Sequence, residues 1–297
     1  GRSGLAGTVE VDAGELVAMA PQHEVLLERQ PLPGGGADPG VEAAVGDGEQ
    51  AAAGGIVRNG EPLTIGTRGS QFLEGDIAEL LLYRRALTDP ERGARGASAI
   101  IVPGNTPGIS VTKVEDKMAQ RASNTVELRF ENVRGPRANL LGKPGWGFSY
   151  ALECLDFGRS GVAALSVGVA RAALEHAVAY AKTRKQFGSP IIANQGISFM
   201  LADMAIKVEA ARLLTWQAAW LADQREKVSM KAAMAKCFAS DTAMEVTTNA
   251  VQVMGGYGYM RDYPVEKLMR DAKLLQIYEG TNQIQRMVIA RQLAKGG

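Results

Sequence analysis

Four short segments hold residue types that could do chemistry. Tyr278-Glu279-Gly280-Thr281-Asn282-Gln283 sets a carboxylate beside a glycine, just ahead of a helical stretch that Thr281 would cap. An acid there can act as a general base, because Gly280 gives a substrate carbon close access. It can equally be a solvated carboxylate favoured by the helix dipole. Arg184-Lys185-Gln186-Phe187-Gly188, with Asn194-Gln195 a few residues on, places a guanidinium directly after a helix. Its planar fork fits a pyrophosphate, although two cations also complement a helix C-terminus. Gln252-Val253-Met254-Gly255-Gly256-Tyr257-Gly258-Tyr259 ends a helical stretch in a glycine pair. Such a pair is an ordinary C-cap, and its missing Cβ atoms also let a phosphate or adenine reach the backbone. It is not a dinucleotide-binding fingerprint, because it follows a helix and its glycine spacing differs. Asp156 and Arg159 are spaced for a local ion pair.

The elements that must position these residues change character along the chain. Residues 1–97 hold about half of the 35 glycines and sustain no helical period. Short strands are expected at Glu24-Val25-Leu26-Leu27, Ile56-Val57, Leu63-Thr64-Ile65 and Ile77 to Tyr83, with Asn59-Gly60 as a turn. Thr88 with Glu91 has the form of a capping box opening a short helix. From Ser98, the strands Ile100-Ile101-Val102, Gly108 to Val111 and Val126 to Phe130 are split by Pro103-Gly104 and Pro107-Gly108. Gly142, Pro144 and Gly145 mark a loop, and helical stretches run on to Lys295. Leu201, Met204, Ala205 and Val208 form one core stripe, and Met230, Met234, Cys237, Asp241 and Met244 another. Met200, Trp216 and Trp220 could line a ligand pocket, although helical stripes of this sort are usually packing. The stretch from Phe148 to Lys182 is broken softly at Gly158 and Gly161, while Ala170, Ala172 and Ala173 let neighbouring helices approach closely. The expected fold class is α+β and multidomain: a partial β-sandwich over 1–97, a short β segment over 98–145, and an antiparallel helical bundle over 146–297.

Composition excludes several classes. With 33 basic and 32 acidic residues the net charge is +1, so no whole-molecule field draws in nucleic acid or an anionic membrane. His23 and His176 lie far apart and outside any ligand spacing, so no metal site is expected. Cys154 and Cys237 sit in apolar helical patterns and read as buried thiols rather than a disulfide framework. No apolar run approaches a membrane span and no signal peptide is evident. The chain begins at glycine, as a fragment or a processed or assembled product would.

Two resemblances follow. Ile65-Gly66, Phe72 to Leu80 and Tyr83-Arg84-Arg85-Ala86-Leu87 are similar to the end of concanavalin-like, laminin-G-type sandwich modules, on framework strands that name no binding residue. From about Ser98 onward the strings Val102 to Val111, Gln120-Arg121-Ala122-Ser123, Phe130-Glu131-Asn132-Val133, Ala138 to Gly142, Gly147-Phe148, Arg184 to Gly188, Pro264 to Ala272 and Gln276 to Thr281 resemble acyl-CoA dehydrogenases, most closely the short- and medium-chain branch.

The second resemblance implies FAD as cofactor and an acyl-CoA thioester as substrate. Glu279 would remove the α-proton, with its backbone N–H helping to hold the thioester oxygen, and the β-hydrogen would leave as hydride to give a trans-2-enoyl-CoA. Branches that place the base on an earlier helix would put it at Gly158, which cannot serve. By the same matching Arg184 and Gln186 contact the FAD of a neighbouring subunit, with Phe187, Asn194 and Gln195 nearby. Gln252, Gly255 and Gly256 approach the ADP portion, Thr281 and Gln283 the diphosphate region, and Asp156, Arg159 and Gly280 the acyl-CoA. A homodimer or homotetramer, an electron-transferring flavoprotein as partner and a cytoplasmic location are further implications. The family's N-terminal helical domain and the first half of its β domain have no counterpart in this reading, so weakened FAD binding is expected. The competing class is a glycan- or protein-binding sandwich carrying a non-catalytic helical oligomerisation bundle.

Overall fold

The computed structural model describes residues 8–11, 16–18, 56–58, 61–63, 77–83 and 97–295. The chain divides into two compact units, residues 1–116 with 122–154 and residues 117–121 with 155–297.

The first unit contains ten short strands among the described residues: β1 (Thr8–Val11), β2 (Leu16–Ala18), β3 (Ile56–Arg58), β4 (Glu61–Leu63), β5 (Ile77–Tyr83), β6 (Ser98–Pro103), β7 (Ile109–Val114), β8 (Val126–Phe130), β9 (Val133–Pro136) and β10 (Leu140–Leu141). β6, β7 and β8 lie where apolar runs between Pro-Gly breaks put them. The described strands do not support the partial β-sandwich expected over 1–97. Only β3 and β4 pair within it, with Arg58 opposite Glu61. β1 pairs with β9, β2 with β8, and β5 with β6, all antiparallel and all across residue 97. The physical reason is that β6, β8 and β9 carry the buried residues Ile100, Val102, Phe130 and Val133, and their open edges take whichever strand can satisfy them. The readings at Glu24–Leu27 and Thr88–Glu91 lie outside the described residues.

The second unit holds most of α1 (Gly147–Thr183), a hairpin of β11 (Lys185–Gln186) and β12 (Ser189–Pro190), then α2 (Gln195–Asp223), α3 (Ser229–Met254), α4 (Val265–Leu275) and α5 (Asn282–Leu293). A short connection between α2 and α3, which pack together, sets these two antiparallel. Alanine makes the close packing possible. Ala170, Ala173, Ala177 and Ala181 recur along one face of α1 and are buried with Ala243, Val246 and Ala250 of α3 and Leu268 and Leu275 of α4. A second cluster joins Ala163 of α1, Ala211 and Ala218 of α2, and Ala232, Ala235 and Ala239 of α3.

Several readings of the helices change here. Gly158 and Gly161 do not interrupt α1, because a glycine costs a packed helix only about 1 kcal/mol. On α3 the buried face is alanine, and Met230, Met234, Asp241 and Met244 are only half-buried. Trp216 and Trp220 stand outside, each 60% exposed. Cys237 is buried, but Cys154 is half-buried, and neither is in a disulfide among the described residues. Contrary to expectation, α1 is long and apolar enough by length and composition to cross a membrane, a consequence of its alanine, valine and leucine content.

The Pro264–Ala272 string is structural. On α4, Asp271 Oδ1 accepts the Gln120 N–H at 2.8 Å and pairs with Lys267, while Arg270 donates to the Met118 carbonyl at 2.9 Å. These bonds fasten residues 117–121 to the helical unit.

Candidate active site

Between α4 and α5 the chain makes a tight connection that carries Glu279. The N–H groups of Ile277 and Tyr278 donate to the Leu274 carbonyl, and that of Asn282 to the Gln276 carbonyl. Glu279 has φ 56° and Gly280 φ 87°, a left-handed pair. A non-glycine residue there costs on the order of 1 kcal/mol, so the surroundings must impose it. Two side chains with no exposed surface do so. Gln285 Nε2 donates to the carbonyls of Glu279 (3.0 Å) and Gly280 (2.8 Å). Lys236 Nζ donates to the Gly280 carbonyl and to Asn282 Oδ1, each at 2.9 Å. Thr281 caps α5 as expected, its Oγ1 accepting the Ile284 N–H. Asn282 is locked by Nδ2 bonds to Ser240 Oγ and Asp241 Oδ1. Burial alone would push the Asp241 pKa up, but hydrogen bonds from Arg286, Gln276 and Asn282 hold it below the usual carboxylate value.

The Glu279 carboxyl rests against α1 at Gly158. A Cβ placed on Gly158 would sit 2.7 Å from Oε2 and 3.1 Å from Cδ, so only glycine leaves room for it. Gly158 is therefore the floor on which the Glu279 carboxyl lies. Burial pushes the Glu279 pKa up, and the charges of Arg159 and Lys236 pull it partly back. Burial likewise lowers Lys236 to about 8, against the opposing attraction of Cys237, Asp241 and Glu279. Arg159 is buried and paired with Asp156 at 2.5 Å; Asp156 also accepts from Ser229 Oγ. Asp156 and Arg159 thus form the local ion pair that their spacing allowed, with the Arg159 charge felt by the carboxylate.

Glu279 Oε2, Arg159 Nε, Gln285 Oε1 and the Tyr278 hydroxyl are buried without partners among the described residues. Native interiors leave few such atoms, so a cluster of them marks a place built for a polar ligand. A carboxylate that is desolvated, faced by cations and short of donors has the properties of a general base.

A second locus lies at the Arg184–Gly188 string. Phe187 (φ 53°) and Gly188 (φ 82°) form a two-residue hairpin with both central residues left-handed, and it holds the Phe187 ring 93% exposed. Beside it is a cleft of about 500 Å³ lined by Tyr180, Arg184, Gln186, Gly255, Gly256 and Tyr257, among others. The Arg184 guanidinium lies 5.6 Å from the Tyr257 ring centre, and Tyr257 packs on Tyr180 and Tyr263. No atom lies within 4 Å of where a Cβ of Gly255 or Gly256 would be, so that backbone is open. Guanidinium, bare backbone and aromatic faces together suit a ligand with phosphates and a flat ring. Arg184, Gln186, Gly255 and Gly256 are brought together. Asn194, Gln195, Gln252 and Gln283 are exposed and outside this lining. Among the described residues no cluster of His, Cys, Asp or Glu could hold a metal.

Lys236 and Gln285 belong to the site although no motif named them, and Asn282 stood in the Tyr278 to Gln283 string with no role assigned to it. The available signal was Lys236 itself, the single charge in Ala232–Ser240, on the face where Ala232 and Ala239 are buried.

The sequence profile of the acyl-CoA dehydrogenase C-terminal domain matches residues 145–294. An acyl-CoA dehydrogenase of Bacillus subtilis (strain 168) is 53% identical over 241 residues, covering 81% of this chain and 63% of that protein. A probable acyl-CoA dehydrogenase of the same strain, YngJ, is 42% identical over 304 residues, 99% of this chain and 79% of that protein, so the likeness is not confined to residues after Ser98. The solved structure of butyryl-CoA dehydrogenase from Megasphaera elsdenii is similar with a TM-score of 0.71 at 47% identity, covering 74% of this chain and 59% of the other. The chain spans less than two thirds of the length of the first and third of these.

Proposed function

We propose, from the premise that this chain belongs to the acyl-CoA dehydrogenase family, that it carries the base and part of the cofactor site for α,β-dehydrogenation of a fatty acyl-CoA to a trans-2-enoyl-CoA. The observation that carries this is the Glu279 carboxyl, buried against Gly158 with one oxygen unpaired, on a left-handed turn fixed by two fully buried side chains. Glu279 takes the α-proton of the thioester. That proton is too weakly acidic for a solvated carboxylate, so two devices are needed: burial makes the base stronger, and hydrogen bonds to the thioester oxygen stabilise the enolate. The Glu279 N–H, which has no acceptor among the described residues, is available for the second. Gly280 keeps the approach to the carboxylate free of a side chain, and Asp156 with Arg159 borders the substrate.

Arg184, Gln186, Gly255 and Gly256 would hold FAD by its phosphates and adenine, with Phe187, Asn194, Gln195 and Gln252 around them and Thr281 and Gln283 toward the diphosphate. FAD, when bound, supplies the acceptor for the β-hydride. An electron-transferring flavoprotein then takes the electrons onward, and a cytoplasmic location belongs to the same reading. The sandwich-binding alternative has no observation in its favour. The test is direct: chain loaded with FAD should lose its yellow colour anaerobically when an acyl-CoA is added. Arg184→Gln should retain FAD at least tenfold more weakly, since a buried or clustered cation contact to phosphate is worth about 1.5–3 kcal/mol. A chain that stays colourless after FAD loading, or bleaches no faster than free FAD, rules the proposal out.

Oligomerisation is the second element. Phe199, Ile206, Leu213 and Trp220 recur every seven residues on α2 and are all more than half exposed, as is Trp216. An apolar stripe of that length on a soluble surface is normally covered, and a second copy of the chain covering it gives the expected dimer or tetramer. Ile206→Glu with Leu213→Glu should halve the sedimenting mass or more; unchanged sedimentation would remove this face from the assembly.

A further inference from the structure

The turn that carries Glu279 is held from beneath by a cation that the reaction as described does not use. A buried ammonium is costly unless paired, and a neutral side chain of similar size could fill the same space on α3. Its presence therefore needs a reason in what it faces. On α3 itself these are Cys237 and Asp241; from α1, Arg159 with its partner Asp156; from the connection, Tyr278 and Glu279; from α5, Asn282, and Arg286, which pairs with Asp241. Asp156 is engaged by Arg159 and Ser229, and Asp241 by Arg286, Gln276 and Asn282. Glu279 is the anion of the group whose buried oxygen has no hydrogen-bond partner.

Resting on the reading of Glu279 as the base, we propose that Lys236 is its positioning residue: the ammonium clamps the Gly280 carbonyl and Asn282 so that the turn stays left-handed, and it stands as counter-ion to the buried carboxylate. Both contacts run to the turn and to the first residue of α5, so one side chain fixes where the carboxylate hangs and where the capped helix begins. The charge opposes the burial that raises Glu279. Because Lys236 itself is lowered to about 8, its support fades as the pH rises past that value.

The test is Lys236→Met in the full chain, read by infrared titration of the Glu279 carboxyl, whose band is assigned by its loss in Glu279→Gln. Removing a nearby opposite charge should raise the carboxyl midpoint by about one unit or more. The acidic limb of the acyl-CoA bleaching profile should move by the same amount, and Lys236→Arg should return both most of the way. A folded Lys236→Met chain with the wild-type midpoint overturns the proposal, as does a rate lowered equally at every pH. Should Lys236→Met not fold, the wild-type band must respond a second time near pH 8, where the lysine loses its proton; no response there is also fatal. Bleaching that survives Glu279→Gln would sink the base assignment instead, leaving the carboxyl titration to judge Lys236 by itself.

Discussion

The Glu279→Gln chain is expected to lose acyl-CoA-dependent flavin bleaching by about 10³-fold or more while becoming more stable. The loss follows from removing the general base, which typically contributes ~10²–10⁴-fold, at a place where no second carboxylate can substitute because the neighbouring position on α1 is Gly158. The gain in stability has a different origin. Burial raises the Glu279 pKa above its ordinary 4.5, so the folded chain holds this proton more tightly than the unfolded one. Its favourable contribution is complete below pH 4.5 and is lost as pH rises through the folded value. Glutamine carries no charge, so the variant escapes that loss, and the difference should grow with pH through this window and then level off. Thermal melts from pH 4 to pH 8 with matched bleaching assays check both halves. Equal melting profiles would mean that the carboxylate is not desolvated, and persistent bleaching would mean that it is not the base.

How much of this was open to reading in the sequence depended on whether the signal was local. Thr281 as an N-cap and the glycine pair at Gly255-Gly256 as a C-cap are set by one or two residues and their immediate neighbours. They were accordingly legible, as was an acid poised beside a glycine at Glu279. What holds that acid in place comes from elsewhere in the chain. Lys236 precedes it by a full helix, Gln285 follows on the next one, and Gly158 lies on α1; no spacing rule links the three. Gly158 was legible only as a residue unable to act as a base, whereas its effect on the site is steric. Gln283, expected toward the diphosphate, is exposed, whereas Gln285, two residues on and named by no motif, is the buried glutamine of this helix. The same limit governed the strands before Ser98. Runs of three or four apolar residues between glycines say that a strand can form but not with which partner, and here β1, β2 and β5 found theirs beyond residue 97.

Gly158→Ala tests the steric claim with one methyl group. Its Cβ would lie 3.1 Å from Glu279 Cδ and 2.7 Å from Oε2, the latter closer than such atoms are found, so one side must move. α1 resists, because Gly158 is interior to an unbroken helix whose alanine face is packed against α3 and α4. The Glu279 backbone resists as well, clamped at its own carbonyl by Gln285 and at the next by Gln285 and Lys236. The carboxyl group must therefore swing, and a displacement near 1 Å at a reacting atom costs about 10²-fold in rate. Stability should move little or upward, since alanine is favoured over glycine inside a helix by about 1 kcal/mol, which offsets the crowding. Gly161→Ala is the matched control: one turn along the same helix, a Cβ there meets nothing within 4 Å. It should gain the helix-propensity increment and bleach at the wild-type rate. Two alanine variants with equal bleaching rates would show that the carboxylate does not depend on the gap at Gly158. A slow Gly158→Ala chain beside an unimpaired Gly161→Ala chain would place the loss in the contact between that methyl and the base, because the change in backbone propensity is common to both.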